Sequence, residues 1–275
     1  QSAIDFAFFL TRTEHLTESD RHFTLTPDQL YAINPNTGTC PTFRSKRDAE
    51  ITKKLYDAAP VLINEAEDEN PWDVSFTTLF HMSGDSNLFH AREDLEEEGF
   101  QLQGNRFVRG EKTYLPLYEA RMLDHFNHRA ASIDVNPDNQ YREATTKASL
   151  TNELSNPEYC PISRFWTDKG EVKSKSFKNQ RWSIAYRYIT SSTNARTAFF
   201  SFVPLCGASN MMPLAFAEAS SFRQCGCLGE LNSLVLDYGL RQKFNSQGLA
   251  FHVVNQLPVH PPERYTPQLL EYIVP

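Results

Sequence analysis

The cleanest alternation of apolar and polar positions runs from Arg181 to Tyr188. Trp182, Ile184, Tyr186 and Tyr188 fall on one face of a period-two pattern, and Arg181 and Arg187 fall on the other. This predicts a strand with its aromatics packed inside and its arginines outside. Thr197 to Val203, with Phe199, Phe200 and Phe202, reads as a buried strand ended by Pro204, and Met211 to Phe216 reads as another. Phe100, Leu102 and Phe107 flank Gly104-Asn105, which predicts a hairpin between Gly99 and Gly110. Leu249 to Leu257 is expected to be the last strand, before Pro258, Pro261 and Pro262.

Helical spacing governs other stretches. Thr26 before Pro27 is an N-cap with proline at the first helical position, and the Asn34-Pro35-Asn36-Thr37-Gly38 cluster stops that helix. A second helix is predicted from about Ser45 to Ala59, with Ile51 and Leu55 at i, i+4. Its bases Arg44, Lys46, Arg47, Lys53 and Lys54 read as a solvated face rather than a phosphate contact. Tyr118, Met122 and Phe126 share one face of a helix beginning near Tyr114. Leu228, Leu231, Leu234, Val235 and Tyr238 form the apolar stripe of a helix from about Cys225 to Arg241. Residues 134–159, polar and punctuated by Pro137 and Pro157, read as a long surface excursion or a short irregular helix. The expected class is α+β: a helical N-terminal part, residues 1–110, and a mixed α/β part, residues 111–275.

With 275 residues, 40% of them hydrophobic, the chain has enough apolar side chains for one large core or two modest ones. No apolar run reaches the ~18 residues that cross a bilayer. The opening Gln1–Leu10 lacks a basic start and carries Asp5, so it is no secretory signal and reads as the interior of a longer cytoplasmic polypeptide. Five cysteines fit no disulfide framework, and Cys225-Gly226-Cys227 is too tightly spaced for a zinc site, so reduced thiols are expected.

The formal charge of −7 argues against a uniformly basic nucleic-acid binder, yet the charge is unevenly placed. Eleven acids and one base, Arg92, lie between Glu65 and Glu98. Seven bases and one acid, Glu171, lie between Lys169 and Arg196. In the basic segment Lys173, Lys175 and Lys178 are candidates to hold phosphates, and Asn179, Arg181, Arg187 and Arg196 to position or read bases.

Catalytic motifs are missing. Asn34-Pro35, Asn70-Pro71, Asn136-Pro137 and Asn156-Pro157 all lack the second proline of the tetrapeptide that amino-methyltransferases use to hold a flipped base. There is no glycine-rich strand-to-helix turn for a methyl donor, no phosphate loop and no nucleophile elbow. Glu171-Val172-Lys173 has a nuclease-like Glu-x-Lys form, with Asp138 upstream as a further carboxylate, but three residues carry little specificity. His125 and His128 stand at i, i+3 without a third ligand.

Leu228-Gly229-Glu230-Leu231-Asn232-Ser233-Leu234-Val235-Leu236-Asp237-Tyr238 resembles the Leu-Asn-Ser…Asp-Tyr helix of adenine-specific DNA methyltransferases in fused restriction–modification enzymes. Arg241-Gln242-Lys243 and Phe251–Pro258 continue the likeness. Upstream, Phe8–Thr13, Asn34–Thr39, Phe43–Glu50 and Tyr114–Ala120 resemble the region after that family's catalytic domain, as does the strand from Arg181 towards Thr197. The resemblance implies a connecting region over 1–110 and a target recognition domain over 111–275. It implies double-stranded DNA and the parent polypeptide's catalytic domain as partners, with S-adenosylmethionine on that domain and no cofactor or catalytic residue here. Two other functions remain open: a protein-interaction module working through Glu65–Glu98, and a metal-dependent nuclease using Glu171 and Lys173.

Overall fold

The computed structural model describes residues 2–135, 144–177, 180–244 and 246–273. The class is α+β. In chain order the first strands are β1 (Ile4–Ala7), β2 (His22–Leu25), β3 (Val74–Thr77), β4 (Gln101–Gln103), β5 (Arg106–Arg109) and β6 (Lys112–Tyr118). They are followed by β7 (Ala131–Asp134), β8 (Thr145–Ala148), β9 (Phe165–Asp168), β10 (Trp182–Tyr186), β11 (Phe200–Pro204), β12 (Gly207–Ala208) and β13 (Leu214–Ala217). The helices are α1 (Pro27–Ile33), α2 (Lys46–Ala58), α3 (Arg92–Glu97), α4 (Thr151–Leu154) and α5 (Lys169–Lys175). Then come α6 (Ser221–Leu231), α7 (Leu234–Lys243), α8 (Phe251–Val254) and α9 (Pro267–Ile273). No helix of the described residues is long and apolar enough to cross a membrane.

Two compact units emerge, each assembled from separate stretches of chain. The first takes residues 1–74, 190–198 and 217–275, and the second takes 75–189 and 199–216.

In the first unit β1 and β2 pair antiparallel, with Phe6 opposite Phe23. Phe23, Leu25, Ile33, Phe43, Ala49, Tyr56 and Val61 form its core. The N-terminal part is therefore not purely helical, because the apolar spacing of Phe23 and Leu25 is that of a strand. The cap at Thr26 and the helix after Ser45 are as expected: Thr26 accepts from the Gln29 amide, and Ser45 accepts from the Asp48 amide.

Two C-terminal expectations fail. The helix expected over Cys225–Arg241 is two helices, because Asn232 ends α6 and Ser233 caps α7 through the Leu236 amide at 3.1 Å. The break rotates the stripe, so Leu228 and Leu231 are buried while Leu234 and Val235 are exposed. The strand expected over Leu249–Leu257 is the short helix α8, because the apolar run is buried by tertiary packing rather than by a sheet neighbour.

Lys243 is an unusual part of this unit. Its ammonium donates to the carbonyls of Ile33, at the end of α1, and Gln256, at 2.5 and 2.7 Å, and lies 4.5 Å from the centre of the Tyr56 ring. The orphan carbonyl of a helix end is thus capped by a cation. Burial holds the Lys243 amine well below its ordinary value of 10.5. Unfolding must then take up a proton between the folded and the ordinary value, so the stability owed to this group rises with pH across that window and is lowest below it. Urea midpoints of the wild type and Lys243→Met, measured from pH 6 to 10, should shift in favour of the wild type as pH rises. A pH-independent gap would refute the assignment.

Beside the small β7–β8 pair, the second unit is built on two larger sheets among the described residues. One has the order β11-β10-β13-β3. The other has the order β12-β6-β5-β4, with β9 paired to β6 as well. Its core includes Phe80, Leu115, Leu117, Tyr118, Met122, Val172, Ala185, Val203 and Met212. The hairpin at Gly104-Asn105 is present as β4–β5, with Gln103 opposite Arg106.

The helix expected near Tyr114 is instead β6. Its residues Leu115 to Tyr118 are buried in the core, with β9 paired along Tyr114–Leu117 and β12 along Leu117–Tyr118. The alternation over Arg181–Tyr188 also fails as a guide to inside and outside. Strand β10 lies between β11 and β13, so Ser183, Ile184, Ala185 and Tyr186 are all buried, whereas Trp182, at the end, is 37% exposed. A central strand covered on both faces has no solvent side to which a polar period can report.

Candidate nucleic-acid interface

Helix α5 presents the basic segment. Asp168 caps it by accepting from the Gly170 amide at 2.6 Å, and a Cβ at Gly170 would lie 2.9 Å from that carboxylate. Val172 is fully buried and anchors the helix to the core, while Lys169 and Lys173 are exposed. Ser176 ends the helix with its amide on the Val172 carbonyl, and Phe177 packs 5.7 Å from Phe216.

Beside α5 lies a cavity of about 650 Å³ lined by Arg106, Lys169, Lys173, Ser176, Phe177, Gln180, Arg181, Pro204 and Leu205. Four of these side chains are cations, all on exposed residues, and among the described residues no acid lines it. Phe177 and Leu205 pack against the core and give the cavity an apolar floor. The Ser176 hydroxyl is buried and has no hydrogen-bond partner among the described residues.

Sheet register assembles this lining. Phe107 of β5 stands opposite Tyr114 of β6, which stands opposite Asp168 of β9. Arg106 precedes Phe107 and Lys169 follows Asp168, so the two stand about two strand spacings across the sheet and about two residues along it from each other, roughly 12 Å. Arg181 is fixed from the other sheet, where its carbonyl accepts from the Leu205 amide at 2.9 Å.

Of the residues expected to act together, Lys173 and Arg181 line the cavity. Lys178 and Asn179 lie outside the described residues. The remaining three line no part of it. Lys175 pairs with Asp85 at 3.0 Å and sits 4.6 Å from the centre of the Phe80 ring. Arg187 donates to the Leu123 carbonyl at 3.0 Å and stacks 4.3 Å over Phe199, and burial lowers its pKa from the ordinary value. Arg196 belongs to the first unit, bonded to the Asn232 carbonyl and 3.5 Å from Asp237. Each of these three has found a partner inside the protein, and a cation held that way is a weak phosphate ligand. Arg106 was not anticipated. No local signal exists for it, since it lies in a hairpin that reads as purely structural.

Other candidate chemistry does not converge. Glu171 and Lys173 are two apart on α5, so a helical turn of about 200° separates them, whereas on a strand they would share a face. Asp138 lies outside the described residues. No group of three His, Cys, Asp or Glu side chains suited to a metal occurs among the described residues. In the acidic stretch, Asp85 pairs with Lys175, Glu65 accepts from Asn255 and Glu96 pairs with Arg92.

The Leu228–Tyr238 motif is architectural in this structure. Asp237 is buried, and Tyr238 donates to Asp48 at 2.6 Å, joining the helix to the Phe43–Glu50 segment that shares the likeness. No protein-family model matches the chain, and no curated protein shows significant similarity to it.

Proposed function

We propose that this chain recognises double-stranded DNA for an adenine-specific methyltransferase or restriction–modification enzyme. Its catalytic domain, with S-adenosylmethionine bound, would lie elsewhere in a cytoplasmic parent polypeptide. The observation that carries this reading is the cavity beside α5, where among the described residues four cations and no acid gather on a protein of net charge −7. Such a concentration of unpaired positive charge on an anionic molecule meets a polyanion through counterion release. The second-unit cations hold the duplex, and the absent domain extracts an adenine and methylates its exocyclic amine.

The test is the affinity for a duplex oligonucleotide as a function of salt. If the four cations each neutralise one phosphate, the logarithm of affinity should fall with the logarithm of salt at a slope of about −3.6. Arg106→Ala, Lys169→Ala, Lys173→Ala and Arg181→Ala should each reduce the slope by about one. Lys175→Ala, whose ammonium is spent on Asp85, should leave it unchanged. A slope insensitive to all four replacements would remove the cavity from DNA binding.

A further inference from the structure

We infer that the cavity beside α5 takes a whole nucleotide, with an aromatic base on its floor and phosphate at its rim, and not a bare phosphate. In its strand-borne form this rests on the duplex-recognition reading above.

Size is the first argument. A phosphate group has five heavy atoms and needs roughly the volume of five waters, about 150 Å³ at about 30 Å³ each. The cavity offers about 650 Å³, within the range that holds ligands with rings. A site for phosphate alone would leave most of this space unfilled.

The lining gives the second argument. A phosphate subsite needs donors and has no use for an apolar floor, yet Phe177, Pro204 and Leu205 supply one. Phe177 is half-buried and held against Phe216, so its ring is rigid at little entropic cost. Base-on-aromatic contact tolerates any base, since each has a π face. Gln180 brings a side-chain donor and acceptor for a base edge, and the partnerless Ser176 hydroxyl is a buried polar group whose cost a ligand atom relieves. Arg106, Lys169, Lys173 and Arg181 then match the phosphates on either side of the base.

Two sources carry this chemistry: a free nucleotide, and a nucleotide lifted from the stack of a DNA strand. The intact chain is titrated with four probes. These are a fully paired duplex, the same duplex with a one-nucleotide bulge, thymidine or adenosine 5′-monophosphate, and inorganic phosphate. The bulged duplex should bind about tenfold more tightly than the paired one, and the monophosphates should compete for that increment. Phe177→Leu, which keeps an apolar group against Phe216, should abolish the increment while retaining binding of the paired duplex. Gln180→Ala, at a position outside the core, supplies an independent reduction if the leucine variant does not fold.

Equal affinity for the two duplexes, with no nucleotide binding, overturns the inference and leaves the duplex reading standing. Inorganic phosphate binding as tightly as the monophosphates also overturns it. Nucleotide binding without binding of either duplex supports the site in its free-nucleotide form and sinks the duplex reading. Failure of every probe to bind overturns both.

Discussion

Replacing Asp237 by alanine should cost the fold about 3–5 kcal/mol, as removal of one partner from a buried ion pair does. The carboxylate is 3% exposed. One oxygen accepts from the amides of both Thr197 and Ala198 at 2.7 Å, and the other accepts from Arg241 at 2.9 Å, with Arg196 3.5 Å away. Arg241 in turn donates to the carbonyls of Asn194 and Ala195 at 2.8 and 2.7 Å. Asp237, directly and through Arg241, therefore holds residues 194–198 of the 190–198 segment, which enters the first unit between two stretches of the second. Without it, two buried amides lose their acceptor and two arginines lose their counter-charge. Asp237→Asn keeps an acceptor for the amides and should cost less, about 2–3 kcal/mol. Equilibrium urea denaturation measures both. A loss below about 1 kcal/mol for Asp237→Ala would mean that the segment is held by other contacts. At temperatures where the variant remains folded, the salt slope of the proposed DNA binding should not change, because the cavity cations belong to the second unit.

Gly226→Ala should cost about 1–2 kcal/mol net although alanine is the better helix former. A Cβ at Gly226 would lie 2.5 and 2.6 Å from two carbons of the Tyr265 ring. The ring has no easy retreat. Its hydroxyl donates to Glu230, Trp72 packs edge-on with centroids 5.6 Å apart, and the residue is 5% exposed. Glu230 is also engaged by His260 at 2.7 Å, and the Trp72 indole donates to the His260 carbonyl at 3.0 Å. Relieving the overlap means moving this network, and overpacking of this kind costs about 1–3 kcal/mol, beyond the ~1 kcal/mol that alanine returns in helix propensity. Gly229→Ala in the same helix is the control, because nothing lies within 4 Å of its Cβ position. It should stabilise by about 0.5–1 kcal/mol. Thermal melts of the two variants should move in opposite directions. A Gly226→Ala protein at least as stable as the wild type would show that Tyr265 does not pack on α6 in this way.

Features set by neighbouring residues were legible in the sequence. The cap at Thr26 and the helix start at Ser45 depend on side-chain-to-backbone bonds spanning three residues, and the turn at Gly104-Asn105 on the positive φ of Gly104, and the structure has all three. Misreadings occurred where a partner distant in sequence decided the outcome. Tyr114–Tyr118 has apolar spacing compatible with a helix, and β5 and β9 make it a strand. The division of the Leu228–Tyr238 stripe is the exception, because Ser233 makes it through a local cap on the Leu236 amide that the continuous apolar pattern obscured. The basic segment from Lys169 to Arg196 looked like a single patch because its charges are close in sequence. Lys175, Arg187 and Arg196 are each drawn to an internal partner at least 36 residues away: Asp85, Leu123 and Asn232.

Composition, charge segregation and local capping thus determined the α+β class, the principal helix starts and the region in which the candidate interface lies. Tertiary structure alone decided which cations share a cavity. It brought Arg106 from a hairpin to Lys169 and Lys173 through two strand pairings, and it spent three of the anticipated bases on carboxylates and carbonyls. The physical reason is that a long cationic side chain is committed by whichever acceptor the fold brings within hydrogen-bond reach. The chain's local order does not contain that information.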